Sequence, residues 1–284
     1  MNGAESVRDF CLGILERGDL ASKLAAPRRA DGSPLLDDPT GAAVSIDAPA
    51  RDPGLAMGPD AEPLPRPGAL RDPAARVRCL ARFAHHELMA VELFAWALLR
   101  WPDLPAELRR AFVAVLADEQ RHCALYLERL RAAGSDLAEH RHSDYFWKHA
   151  PAIAASPHGP RAFLCAMGLT LEQANLDFTL LYRDAFAAAG DAESAAVCQR
   201  VHDDEIGHVR LAASWLARLA DPASTELERF AQAVPFPLSA ARAKGRRFDV
   251  ASRRRAGLSE EFIEAVRAAR STQETRPRRR LPRK

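Results

Sequence analysis

Between Arg76 and Arg100, Leu80, Ala84, Val91, Phe94 and Leu98 recur at three- and four-residue steps, the spacing of one helix face. Glu87 falls in the middle of that apolar stripe. The run Trp101-Pro102-Asp103-Leu104-Pro105 stops this helix, and Asp103 is suited to cap the next. A second stripe, Leu108, Phe112, Val115, Glu119, His122 and Tyr126, predicts a helix from about Pro105 to Ala133, closed by Gly134. A third, with Leu169, Glu172, Leu176 and Leu180, predicts one from about Arg161 to Ala189, with Gly190 closing it and Asp191 capping its successor. The fourth, about Ala192 to Ala220, turns Val201, Glu205, His208, Ala212 and Trp215 inward.

The flanks are less regular. Residues 4–17 read as a short amphipathic helix bearing Val7, Phe10, Cys11 and Ile14. Residues 27–76 are rich in Pro, Gly and Asp without periodicity, and are either disordered or an arm draped over a folded body. Residues 135–160 connect the two hairpins through a short helix, about Asp144 to Ala154, whose aromatics pack inward. A last amphipathic helix, about Ser259 to Arg270, precedes a basic tail, Arg276 to Lys284, expected to be solvated, with contact to an acidic partner as the other reading. The pattern predicts an all-α chain in three parts. Residues 1–75 hold the N-terminal helix and Pro-rich arm, 76–221 a four-helix bundle of two hairpins joined by a crossover, and 222–284 a helical extension with the tail.

Composition agrees: Ala, Leu and Arg dominate a chain of 284 residues, enough for a sizeable core. A formal net charge of +2 gives no global attraction to nucleic acid. The N-terminus carries acids and an arginine where a signal peptide needs an apolar run, and no stretch is apolar for long enough to cross a bilayer. The five cysteines are scattered and odd in number, as expected of reduced core residues. A soluble cytoplasmic protein is expected, with homo-oligomerisation left open.

The polar residues inside the stripes carry the chemistry. Asp118-Glu119-Gln120-Arg121-His122 and Asp204-Glu205-Ile206-Gly207-His208 are both Asp-Glu-x-x-His, placing a carboxylate and an imidazole one helical turn apart on one face. Glu87 precedes Glu119 by 32 residues and Glu172 precedes Glu205 by 33. One pattern thus occurs twice: a helix with Glu, a turn, then a helix with Glu-x-x-His. Glu87 and Glu119 lie about equally far from the turn between them, which sets them level at about 1.5 Å rise per residue. Four glutamates and two neutral histidines present about −4 to the interior, which two divalent cations would neutralise. Mixed carboxylate–imidazole donors suit iron or manganese, whereas zinc would bind without redox chemistry. The expected ligands are Glu87, Glu119 and His122 from one hairpin and Glu172, Glu205 and His208 from the other, with Glu119 and Glu205 bridging. Asp118 and Asp204 are assigned as hydrogen-bond acceptors for His208 and His122 respectively, the alternative being exposed surface acids.

Other candidates have plainer readings. Glu92 lies five residues beyond Glu87, about 140° round the helix, and is expected to face solvent or to pair with a nearby arginine. His85 and His86 are expected at the surface or as caps, an approach to the rim of the site being the other reading. His140, His142 and His149 lack ligand spacing and are expected among packed aromatics, with the lining of a substrate entrance as the other reading.

These residues carry a family resemblance. The two Asp-Glu-x-x-His motifs and the Glu87 stripe resemble the ferritin-like di-iron carboxylate superfamily. Its members include ferritins, rubrerythrins, ribonucleotide reductase small subunits, quinone hydroxylases and bacterial multicomponent monooxygenases. Asp118-Glu119-Gln120-Arg121-His122 is similar to the Asp-Glu-x-Arg-His of the monooxygenases. More narrowly, the stretch from His85 to Leu93, Glu205-Ile206-Gly207-His208-Val209 and Arg254-Arg255-Ala256-Gly257-Leu258 resemble the ferritin-like family catalogued as domain of unknown function 455. That family also has an acid at the Glu92 position. The resemblance implies a ferritin-like bundle holding two iron ions, or manganese with iron, with O2 as co-substrate and a small organic molecule as substrate. Tyr126, Phe94 and Trp215 would then line or flank the pocket. Ferroxidase activity, iron storage or peroxide removal is the alternative, although the long arm and irregular C-terminal third do not suit a compact cage subunit. Without rubredoxin-type cysteine pairs, electrons would come from a separate reductase.

Overall fold

The computed structural model describes residues 4–37 and 41–270. Among these it is all-helical, with isolated β-bridges and no strand. Two compact units are distinguished, residues 1–160 with 179–204 and residues 161–178 with 205–284. The basic tail at 276–284 lies outside the described residues.

In the first unit, α1 (Val7–Glu16) is capped by Ser6, whose hydroxyl accepts the Asp9 N–H, and buries Val7, Phe10, Cys11, Ile14 and Leu15. The single turn α2 (Leu20–Lys23) follows. α3 (Pro73–Arg100) starts on an Asp72 cap with Pro73 in the first helical position, where a missing N–H costs nothing. From Glu87 to Leu99 every residue of α3 is buried, which makes it a core helix. α4 (Ala106–Ala132) packs along it. Gly134, at φ +81°, ends α4, and the Ser135 N–H bonds Leu130 O at 3.2 Å. The end of α7 (Gln173–Ala188) and the start of α8 (Ala192–Leu219) belong to this unit too. The Phe83 ring meets Tyr126 of α4 and Tyr182 of α7 at centroid distances of 5.3 and 5.0 Å.

The described part of residues 27–76 is a draped arm, because its backbone groups find partners on the helices. The Ala50 N–H donates to Leu15 O (2.7 Å), the Val44 N–H to Leu99 O (3.0 Å) and the Gly58 N–H to His142 O (2.8 Å). The Trp96 indole and the Tyr182 hydroxyl donate to Ile46 O and Pro65 O. Arg109, buried on α4, holds Asp37 of the arm at 2.8 Å. In the connection at 135–160 a 3-10 turn, Trp147–His149, leads into α5 (Ala150–Ala155), and Phe146 and Trp147 are buried.

The second unit contains α6 (Pro160–Ala166) from Arg161 on, the start of α7 and the end of α8. The helix expected to run unbroken from 161 to 189 is instead interrupted by a π-turn, Met167–Glu172. α9 (Glu226–Ala233) carries a complete Thr225/Glu228 capping box. α10 (Val250–Arg255) and α11 (Glu260–Ala268) complete the unit, with Phe230 against Phe262 at 5.1 Å.

The expectation that His85 and His86 sit at the surface or at caps is corrected for His85, which has no exposure. Its ring stacks on His142 at 4.4 Å, and Arg51 Nη1 approaches its Nε2 at 2.6 Å. His86 is partly exposed and stacks on Tyr145 and Phe146. Burial first, then the Arg82 charge, pulls the His86 pKa down to about 3. For His142, burial pulls it to about 4. Both folded values lie below the ordinary 6.5, so the unfolded chain binds more protons in acid. Their stabilising contribution is complete above 6.5 and is lost as pH falls from 6.5 toward 4 and then 3. Urea denaturation between pH 7.5 and 5 should show stability falling by up to about 1.4 kcal/mol per pH unit per histidine. His86→Phe should flatten that slope by one proton's worth.

Candidate metal centre

In the first unit the stripes of α3 and α4 bring Glu87, Glu119 and His122 together. All three are buried, and one donor atom from each lies within 4.8 Å of the others. His122 Nδ1 stands 3.5 Å from Glu119 Oε2 and 3.9 Å from Glu87 Oε2. Its other nitrogen, Nε2, is 3.2 Å from Asp204 Oδ2, which also accepts from Arg200 Nε at 2.9 Å. The His122 hydrogen bond holds the Asp204 carboxyl down, to about 2. A neutral ring that donates from Nε2 to Asp204 presents Nδ1 as an acceptor beside two carboxylates. Two carboxylates and an imidazole nitrogen at this spacing are donors of the kind a divalent cation takes. The donor set therefore fits a metal ion. Asp118 is half-buried and ion-pairs with Arg121 on its own helix.

In the second unit Glu172, Glu205 and His208 come together in the same way, buried and with donor atoms within 4.8 Å of one another. His208 Nδ1 lies 3.4 Å from Glu205 Oε2, and Asn175 Nδ2 donates to Glu205 Oε1 at 2.8 Å. Glu172 is the last residue of the π-turn. Thr170 Oγ1 donates to Cys165 O at 2.7 Å, supplying a partner within that irregular turn. Gly168 makes a close approach possible, since a Cβ there would collide with that of Ala212 on α8. Sequence reasoning missed Asn175, although its position one turn beyond Glu172 is a same-face signal. No sequence signal marks the π-turn.

Glu92 is corrected in one respect: it does not face solvent. It is fully buried, and the alternative expectation, a pairing with arginine, describes it. Arg51 grips both its oxygens, at 3.1 and 2.7 Å, while Lys23 Nζ stands 2.9 Å away and the Trp147 indole donates at 2.8 Å. Desolvation pulls the Lys23 pKa down, and Glu92 opposes that pull. These partners come from α2, the arm and the connection between the hairpins, so nothing near Glu92 in sequence announces them. The five cysteines are free thiols, all buried.

The chain belongs to the family described as Protein of unknown function (DUF455), whose model matches residues 16–264. No curated protein and no solved structure matches it.

The contrast between the two acids of α3 is testable. Glu87→Ala should lower metal occupancy while leaving the metal-free fold as stable or more so. Glu92→Ala strands Lys23 and Arg51 and should cost about 3–5 kcal/mol, with metal content unchanged. Elemental analysis and urea denaturation of the two variants side by side decide this, and loss of metal only in Glu92→Ala would reverse the assignment. Asp204→Asn should weaken metal binding about 10–100-fold, read as a binding isotherm.

Proposed function

We propose that this chain is a ferritin-like di-metal carboxylate protein in which two iron ions, or manganese with iron, activate O2 to oxidise a small organic substrate. The observation that carries the reading is the orientation of His122, whose Nε2 is directed at Asp204 while Nδ1 faces Glu119 and Glu87. The same imidazole–carboxylate relation recurs at His208 and Glu205. Glu87, Glu119 and His122 would hold one ion, and Glu172, Glu205 and His208 the other. Such a pair, when bound, supplies the electrons that O2 chemistry requires, which zinc in the same donors would not.

The chain's own residues do the rest. Asp204 accepts the His122 N–H and so keeps the ring turned and its tautomer fixed. Asn175 holds the Glu205 carboxylate in one orientation through Oε1. Phe94 and Tyr126 are both buried and would flank the Glu87 side. Lys23, Arg51 and Trp147 satisfy Glu92, so the helix that presents Glu87 carries its second buried acid without strain. The five cysteines are free buried thiols, and a separate reductase would deliver the electrons.

Anaerobic loading with Fe(II), followed by exposure to O2 in a stopped-flow spectrophotometer, tests the proposal. Two equivalents bound per chain and a transient visible band are expected. Rapid growth of mineral absorbance would favour the storage reading instead, and a chain that takes up no metal would sink both.

A further inference from the structure

We propose that the C-terminal extension is a positioning device for Glu172, with Arg253 as its key; this rests on the reading of Glu172 as a metal ligand. The starting point is the π-turn. An inserted residue lets the helix before it and the helix after it take independent registers, and moving the bulge by one residue rotates the side chains it carries about 100°. A ligand at the end of such a turn keeps one direction only if both sides are pinned.

The Gly168 side is pinned by contact with Ala212. The other side is pinned at Asp177, five residues beyond Glu172. Arg253 and Asp177 are both wholly buried, and the guanidinium grips both carboxylate oxygens, at 2.8 and 2.9 Å. Arg253 also donates to Asp249 O and Ala243 O, each at 2.9 Å, and to Gln173 O at 3.4 Å. It therefore holds the turn 173–177, the one that follows Glu172, at both its ends. Asp177 accepts two further bonds from the extension backbone, from Gly245 N–H (2.8 Å) and Asp249 N–H (2.7 Å). A Cβ on Gly245 would stand 3.0 Å from that of Asp177, so glycine permits the approach. Phe248 covers the guanidinium at 3.9 Å and keeps water off the pair. A buried ion pair with this many hydrogen bonds is directional, whereas apolar residues of equal volume would pack without fixing a register.

Two variants test this. Asp177→Asn combined with Arg253→Met removes both charges together and avoids a stranded ion. Arg253→Lys keeps the charge but cannot make the fork. Each is followed in two ways: hydrogen exchange of the metal-free chain, and Mn(II) binding read by electron paramagnetic resonance. Expected are faster exchange across residues 167–177 with 110–125 unchanged, and about tenfold or greater weakening of one of two Mn(II) equivalents. The remaining equivalent should disappear when Glu87→Ala is added. Unchanged affinity for both equivalents in a folded variant overturns the positioning role and leaves the metal reading standing. A wild-type chain that binds no Mn(II) overturns the metal reading itself, whatever the exchange shows. Global unfolding of both variants would show that the pair supports the whole fold rather than one ligand, and would also overturn the proposal.

Discussion

A carboxylate can stay ionised inside an apolar helix core only if charge or strong hydrogen bonds answer it, and much of this structure follows from that constraint. α3 buries two such groups five residues apart. At Glu92 the answer is built into the chain, as two cations and an indole N–H brought from distant segments. At Glu87 the neighbours are Glu119 and an imidazole whose Nε2 is engaged with Asp204. The first arrangement is an internal salt network, and the second collects donors of the kind that metals take.

The same constraint explains why the arm is ordered. Lys23 and Arg51 are more than 40 residues from Glu92, counted from Arg51, and each must be brought in from a segment with little periodicity of its own. Once docked, the arm gives its backbone groups to α1, α3 and the connection after α4. The extension in the second unit does comparable work through Arg253 and Asp177. In both places buried ion pairs and backbone bonds tie an irregular stretch to the long helices.

What could be read before folding was whatever recurs at helical spacing. The long stripes place the α3–α4 hairpin and α8 to within a few residues, because burial at every third or fourth position is a local consequence of the helix itself. By the same token Glu87, Glu119 and His122 fall on facing stripes at one level, and Glu205 and His208 one turn apart. Glu92 could be rotated away from Glu87 by counting residues, yet counting could not say whether that direction led to solvent or to Lys23.

The sequence by itself determined the helical class, the order of the long helices and the grouping of acids with histidines, since each depends on spacing within one or two helices. Tertiary structure alone decided the rest: the burial of His85 and Glu92, the π-turn under Glu172, the Asn175 bond to Glu205, and the Arg253–Asp177 pair across 76 residues. Each of these depends on which distant segment arrives at a given face. Long-range pairing leaves no period in the chain, because its energy is shared between residues whose separation in sequence has no bearing on their distance in the fold.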